Sequence, residues 1–340
     1  MHMAMNQTGA CIQVSVCREK SVSAGLLMFL YVISGIVVLL TVCGNLLIII
    51  SVCHFKQLHT PTNMLILSLA VSDCLVGVFV MPFHFMWLIE TCWNFDSVFC
   101  VVFNLVSAHL TAVSVQNVAL ISVDRFIALS YPFLYAKKIS LNVAYCVVLF
   151  TWLALLLYSS ALVYFNRNHA DHEMCPGQCL FTLDEVCSLI DLILLFILPC
   201  AVMIMLYSQI LFIVKRHSNA IHKLHGRRNA NHSNTMNSMR SERKAAKVFG
   251  ILVVIFLLCL VPYYVCSILI AGINTEMINT IMKNMLTLFY LNSTINPVIY
   301  ALFYPWFRRS VSIILTCRIL YTDSSLINVL SSSRNAVVSK

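Results

Sequence analysis

Seven long apolar stretches, near residues 24–53, 61–89, 97–130, 141–165, 185–216, 241–271 and 277–302, alternate with polar breaks along the chain. A helix needs about 20 mostly apolar residues to cross roughly 30 Å of hydrocarbon, and each stretch is that long. Lipid offers no hydrogen bonds, so every backbone N–H and C=O must be paired within its segment and the stretches are predicted to be helices. Most breaks are short, as at 54–60. Two are longer: 166–184 contains Cys175 and Cys179, and 215–242 is rich in Lys, Arg, Asn and His and reads as a mobile loop. After the seventh stretch, Trp306-Phe307-Arg308-Arg309 opens an amphipathic segment that would lie flat on a membrane surface. The pattern predicts an all-α membrane protein, a seven-transmembrane helix bundle with a short amphipathic eighth helix. Its organisation is an extracellular N-terminus (1–23), a seven-transmembrane domain (24–302) and an amphipathic helix with a cytoplasmic tail (303–340).

Composition agrees. Hydrophobic residues make up 60% of the 340 and charged residues 10%, where soluble domains carry about 25% charged. The net charge of +9 would suit a nucleic-acid partner, but its distribution argues against one. Arg18, Lys20, Arg167 and Lys283 fall on one side of the predicted layout, and the rest of the 22 Lys and Arg lie on the opposite side or at its boundary. That asymmetry marks the basic side as cytoplasmic, facing anionic lipid and an intracellular partner. The N-terminus is then outside and the C-terminus inside, as expected of a multi-pass plasma-membrane protein. Residues 1–24 show no cleavable signal pattern, so the first span is expected to act as the targeting signal. Asn6-Gln7-Thr8 is a glycosylation sequon on the outer side, whereas Asn231-His232-Ser233 falls inside and should stay bare. Enzyme signatures are missing: there is no phosphate-binding glycine loop, no Ser–His–Asp arrangement and no metal-ligand cysteine spacing. Transporters and channels are disfavoured by the lack of an internal repeat.

Ionisable groups inside a membrane are costly and mark function. Of the 13 acidic residues, only Asp73 and Asp191 sit well inside spans, and Asp124 sits at an inner boundary. Asn45, Ser114, Asn292, Ser293 and Asn296 lie at a depth comparable with Asp73, on other spans. This set suits a small hard cation, which prefers oxygen ligands; a hydrated hydrogen-bond network without an ion is the alternative. Asp124-Arg125-Phe126 ends the third span. Arg125 can pair with Asp124 or with Glu242 at the foot of the sixth span, a latch that gives two states for a ligand to bias; an arginine snorkelling at a helix end is the alternative. Pro199, followed by Tyr207, together with Pro262 and Pro297, puts a proline into each of the last three spans, where kinks can serve as pivots.

In combination, Gly44-Asn45, Leu69-Ala70-Val71-Ser72-Asp73, Asp124-Arg125-Phe126, Trp152, Pro199, Pro262 and Asn296-Pro297-Val298-Ile299-Tyr300 resemble, in order and spacing, the rhodopsin-like G-protein-coupled receptors over about 25–316. The run from Asn292 to Phe307 and the outer-loop Cys175-Pro176-Gly177-Gln178-Cys179 are similar to trace amine-associated receptors. The resemblance implies a small amine ligand, a heterotrimeric G protein of the stimulatory type that raises cyclic AMP, an olfactory setting, and no cofactor beyond an allosteric sodium ion at Asp73, Asn45, Ser114, Asn292, Ser293 and Asn296. It implies a Cys100–Cys179 disulfide and a second bridge from the N-terminus to Cys175, with Cys17 and Cys11 both open as partners. Asp124, Arg125, Tyr207, Glu242, Phe256, Asn296, Pro297 and Tyr300 take activation and coupling roles. Cys317 is a palmitoylation candidate, and Ser324, Ser325 and Ser331 to Ser333 are candidate kinase targets on a disordered tail.

Two positions depart from the resemblance. Amine receptors usually carry an aspartate seven residues after the outer cysteine of the third helix, and here Ser107 stands there, without a counter-charge for an ammonium. Asp191, eight residues before Pro199 and so about two turns further out, offers a replacement. A fish subset of the family resembles this arrangement, which implies a ligand reversed in the pocket. Tyr263, Tyr264 and Tyr290 would add cation–π attraction, and Ser107 and Thr111 would line the same pocket, with His84 and Asn104 near its outer rim. The alternative is an internal Asp191, protonated or paired with His109 or backbone, in a receptor for a non-amine ligand. Leu260 replaces a tryptophan common below the pocket, which leaves Phe256 one turn inward as the large ring.

Overall fold

The computed structural model describes residues 23–90, 93–169, 179, 185–224, 232–269, 276–321 and 323–330. Among them are seven helices long and apolar enough to cross a membrane: α1 (Ala24–His54), α2 (Pro61–Glu90), α3 (Ser97–Ser130), α4 (Leu141–His169), α5 (Glu185–Asp191, a π-helical turn Leu192–Ile197, then Leu198–Leu224), α6 (His232–Leu269) and α7 (Glu276–Phe303). A shorter α8 (Pro305–Leu315) follows. By length and composition these seven helices are membrane spans; the end carrying the basic loops is called inner below.

Local chemistry sets the helix starts. Ser23, Thr60 and Asp96 cap α1, α2 and α3, each side chain accepting from a backbone N–H three residues on, and Pro61 at the first turn of α2 has no N–H to satisfy. In α8 the polar and apolar residues segregate: Trp306, Phe307, Ser310 and Ile313 are buried on one face. The Arg308 guanidinium donates to the carbonyls of Ala301 and Leu302 at 3.2 and 2.7 Å, satisfying orphan acceptors at the end of α7.

The bundle buries polar residues along with its apolar core and exposes large apolar side chains on its outside. Small and polar residues such as Asn45, Ser72, Asp73, Ser114 and Asn296 are buried between helices, while Phe150, Leu157 and Leu258 are 73%, 72% and 65% exposed toward where lipid lies. α3 is central and touches α2, α4, α5 and α6; α7 packs on α1, α2 and α6. Trp152 of α4 donates to Ser68 of α2 at 2.9 Å. At Gly44 the α1 backbone comes so close to α7 that a Cβ would sit 2.7 and 2.9 Å from the Pro297 ring carbons. Gly44→Ala is therefore expected to destabilise the bundle by about 1–3 kcal/mol, measurable as a lower melting temperature of the purified protein.

Two polar stretches differ from expectation. The segment 215–242, read as loop, is largely helix, because α5 continues to Leu224 and α6 begins at His232. Neither extension contains proline or glycine, so polarity alone does not stop the helix outside lipid. The tail, expected to be disordered, forms short helical turns at Arg318–Leu320 and Ser324–Leu326, and Ser324 is buried.

Candidate functional site

Asp191 is half-buried on α5, just before the π-helical turn Leu192–Ile197. That turn inserts an extra residue and rotates the outer segment relative to the inner one, a distortion frequent at functional sites. Gln116 of α3 donates to the Leu194 carbonyl within the turn at 3.5 Å. The Asp191 carboxylate accepts from the Tyr158 hydroxyl of α4 at 3.1 Å and the Tyr264 hydroxyl of α6 at 3.3 Å. An ionised carboxylate has about four lone-pair sites, so acceptor capacity remains beyond these two phenols.

From Asp191 an aromatic wall crosses the bundle. Phe196 stacks on Tyr264 at 4.5 Å, Tyr263 meets Tyr264 edge-on at 5.3 Å, and Phe289 bridges Tyr263 at 6.1 Å and Tyr290 at 6.2 Å. The wall ends at a hydrogen bond between the buried hydroxyls of Tyr290 and Ser107. The position usually occupied by the amine anchor is thus neutral and already partnered across to α7. Thr111 donates its only hydroxyl proton to Ser107 O at 2.7 Å, within its own helix.

The outer rim is polar. His84 Nε2 lies 2.8 Å from the Thr287 hydroxyl, and its ring meets Tyr290 edge-on at 4.9 Å. The Lys283 ammonium sits 4.1 Å from the Trp87 ring centre. Cys100 and Cys179 are joined by a disulfide, and Asn104 donates to both sulfurs. His109 does not pair with Asp191; its ring packs edge-on to Trp152 at 5.7 Å, facing α4. Cys11, Cys17, Cys175 and Asn6 lie outside the described residues, as does the Glu242 side chain.

At mid-depth Asp73 accepts from Ser114 and Ser293 hydroxyls, each at 2.8 Å, and from Asn296 at 2.7 Å. Asn45 donates to the Thr41 and Ser293 carbonyls. The amide oxygens of Asn45 and Asn292 are buried without a hydrogen-bond partner among the described residues. A carboxylate, two rotatable hydroxyls and orphaned amide oxygens form an all-oxygen donor set, which fits a small hard cation such as sodium.

At the inner end Arg125 pairs with Asp124 at 2.6 Å and donates to Thr62, with its guanidinium 5.6 Å from the Phe249 ring centre. Asp124 also accepts from Thr62 and Tyr135, each at 2.8 Å. Burial raises the Tyr135 phenol above its ordinary range, which keeps it a hydrogen-bond donor. Tyr207 of α5 fills the space over Gly250 of α6. Phe256 and Leu260 are buried in the core, and Pro297 is buried within α7; Tyr300 is buried with its hydroxyl unpartnered among the described residues. Tyr158, Thr62 and Tyr135 escaped sequence reading, since nothing in a single chain says which interior hydroxyl meets which carboxylate.

The comparisons with known proteins decide the family. The profile of the family described as 7 transmembrane receptor (rhodopsin family) matches residues 44–300. Trace amine-associated receptor 13c of Danio rerio is 39% identical over 282 residues, 81% of this chain and 82% of that protein. Trace amine-associated receptors 7c of Rattus norvegicus and 7a of Mus musculus are 36% and 37% identical over 320 residues, in each case 92% of this chain and 89% of the relative. The chain belongs to the trace amine-associated receptors. As a member of that rhodopsin-like family it is a G-protein-coupled receptor and not an enzyme, with a small-molecule ligand on one side of the membrane and a G protein on the other.

Proposed function

We propose that this receptor senses a small amine whose ammonium is bound by Asp191. The observation that carries the reading is a half-buried α5 carboxylate with acceptor capacity to spare, combined with a neutral Ser107 tied to Tyr290. An ammonium–carboxylate hydrogen bond shielded from bulk water is charge-assisted and strong, and Tyr264 and Tyr263 supply π faces beside it. The ligand then lies with its charged end toward α5 and its remainder toward Tyr290 and α3. Ligand binding biases the inner latch of Arg125, whose release from Asp124 and from the foot of α6 exposes the G-protein surface. The family resemblance supports a stimulatory G protein and an olfactory role. A cyclic AMP assay in transfected cells against a panel of mono- and diamines tests the ligand class and the coupling together; silence toward every amine in surface-expressed receptor counts against the reading.

One observation favours a second reading, a non-amine ligand with a structural Asp191: Tyr158 and Tyr264 already give the carboxylate two partners without any ligand.

The pocket around Asp73 is proposed to hold a sodium ion that stabilises one of the two receptor states. Amine potency should then differ about fivefold or more between sodium chloride and N-methylglucamine chloride at equal concentration. In Asp73→Asn the two salts should give the same potency.

A further inference from the structure

Past α8 the chain turns back on itself. Cys317 and Asp323 adopt left-handed backbone, with φ 55° and 64°, and precede the short helical turns Arg318–Leu320 and Ser324–Leu326. The second turn packs on the first inner loop at Lys56–Leu58. Val329 is 2% and Ser324 4% exposed, and Ile327 packs against the cluster that contains Phe55, Leu58 and Ile313.

Ser324 is the pin. Its hydroxyl donates to the Ile319 carbonyl at 2.7 Å, which uses its one proton. The 3.0 Å contact with His54 Nε2 must therefore run the other way, with the ring N–H as donor. One oxygen both closes the tail turn and ties it to the end of α1. A cavity of about 550 Å³ lies alongside, with Arg309, Arg318 and Asp323 in its wall.

We propose that residues 318–321 and 323–330 form a strap docked on the first inner loop, and that Ser324 is a phosphorylation site whose modification and whose docking exclude each other. A protein kinase would transfer the γ-phosphoryl of ATP to the Ser324 oxygen. The O–P bond forms as the β,γ-bridging bond breaks, the hydroxyl proton passes to the kinase base, and ADP leaves. The product has no proton for the Ile319 carbonyl and brings a charge of about −1.5 to −2 to a nearly buried oxygen, beside Asp323. By reciprocity, docking must protect Ser324 as strongly as phosphate opposes docking. Ser325 is partly exposed beside it and serves as an internal control.

The test uses full-length receptor in lipid nanodiscs. Trypsin cleavage of the Arg318–Ile319 bond, followed by mass spectrometry, reads strap release. Ser324→Asp and His54→Ala should each cleave about fivefold or more faster than the unaltered chain, as expected for losing a buried hydrogen bond. Ser325→Asp should match the unaltered chain, and so should His54→Gln, whose amide can still donate. With an acid-directed serine/threonine kinase and Mg-ATP, Ser325 should accept phosphate about fivefold or more faster than Ser324, and His54→Ala should remove the difference. Unchanged or slower cleavage in Ser324→Asp, the latter meaning that the arginines capture the charge, overturns the proposal. Equal modification of both serines in the unaltered chain does so too. The proteolysis decides alone if the kinase modifies neither serine.

Discussion

Asp191→Ala should raise the half-maximal concentration of any activating amine by about 30-fold or more, with receptor still at the cell surface. Removing one partner of a desolvated charge pair costs about 2–5 kcal/mol, and every 1.4 kcal/mol is about tenfold in affinity. Asp191→Asn separates charge from shape, since an amide can still bond Tyr158 or Tyr264. If the amine reading holds, Asn should be nearly as damaging as Ala. A structural Asp191 predicts the opposite: Asn is tolerated, and Ala lowers expression without changing potency. Asp191→Glu keeps the charge and moves it by one methylene, so it should retain a response with an altered preference for amine length. Tyr158→Phe and Tyr264→Phe each remove one of the two donors seen at the carboxylate. Each is expected to shift potency by about tenfold at most, well below Asp191→Ala. Cyclic AMP dose–response curves normalised to surface expression read all five variants.

Why Asp191 was legible in the sequence while its surroundings were not is a matter of rarity. A carboxylate within an apolar span has few cheap explanations, so Asp73, Asp124 and Asp191 stand out without coordinates. The seven helices are equally visible, because lipid demands runs of about 20 apolar residues whatever their packing. Partners are different. Tyr158 on α4 looks like any interior aromatic until its hydroxyl is placed 3.1 Å from Asp191, and Thr62 gains meaning only beside Asp124 and Arg125. The helix extensions to Leu224 and from His232 were hidden because a polar run outside lipid can be loop or helix with the same composition. Ser324 is the sharpest case. In a serine-containing tail it reads as a disordered target, yet left-handed turns at Cys317 and Asp323 fold it back under the bundle.

The reverse experiment is to return the acid to α3. Ser107 is 7% exposed and its hydroxyl bonds Tyr290, so Ser107→Asp puts a carboxylate against a phenol donor in a nearly dry layer. Without a cation a buried carboxylate is costly, and the single variant should show a reduced melting temperature unless amine is present. The added acid also lies across the aromatic wall from Asp191, at the other end of Tyr264, Tyr263, Phe289 and Tyr290. Two carboxylates at opposite ends of one aromatic wall favour a ligand with two ammonium groups. Ser107→Asp should therefore shift preference from monoamines toward diamines long enough to span the wall, by about tenfold or more in relative potency. The double variant Ser107→Asp with Asp191→Ala should regain the monoamine response that Asp191→Ala loses, now with the ammonium at α3 and the remainder of the ligand toward α5. Substituents that clash near α3 in the unaltered receptor should then be tolerated, and those that clash near α5 should be rejected. If the double variant stays silent at normal surface expression while Asp191→Ala is also silent, the aromatic wall does not bound the ligand, and the reversed orientation drawn from Asp191 is wrong.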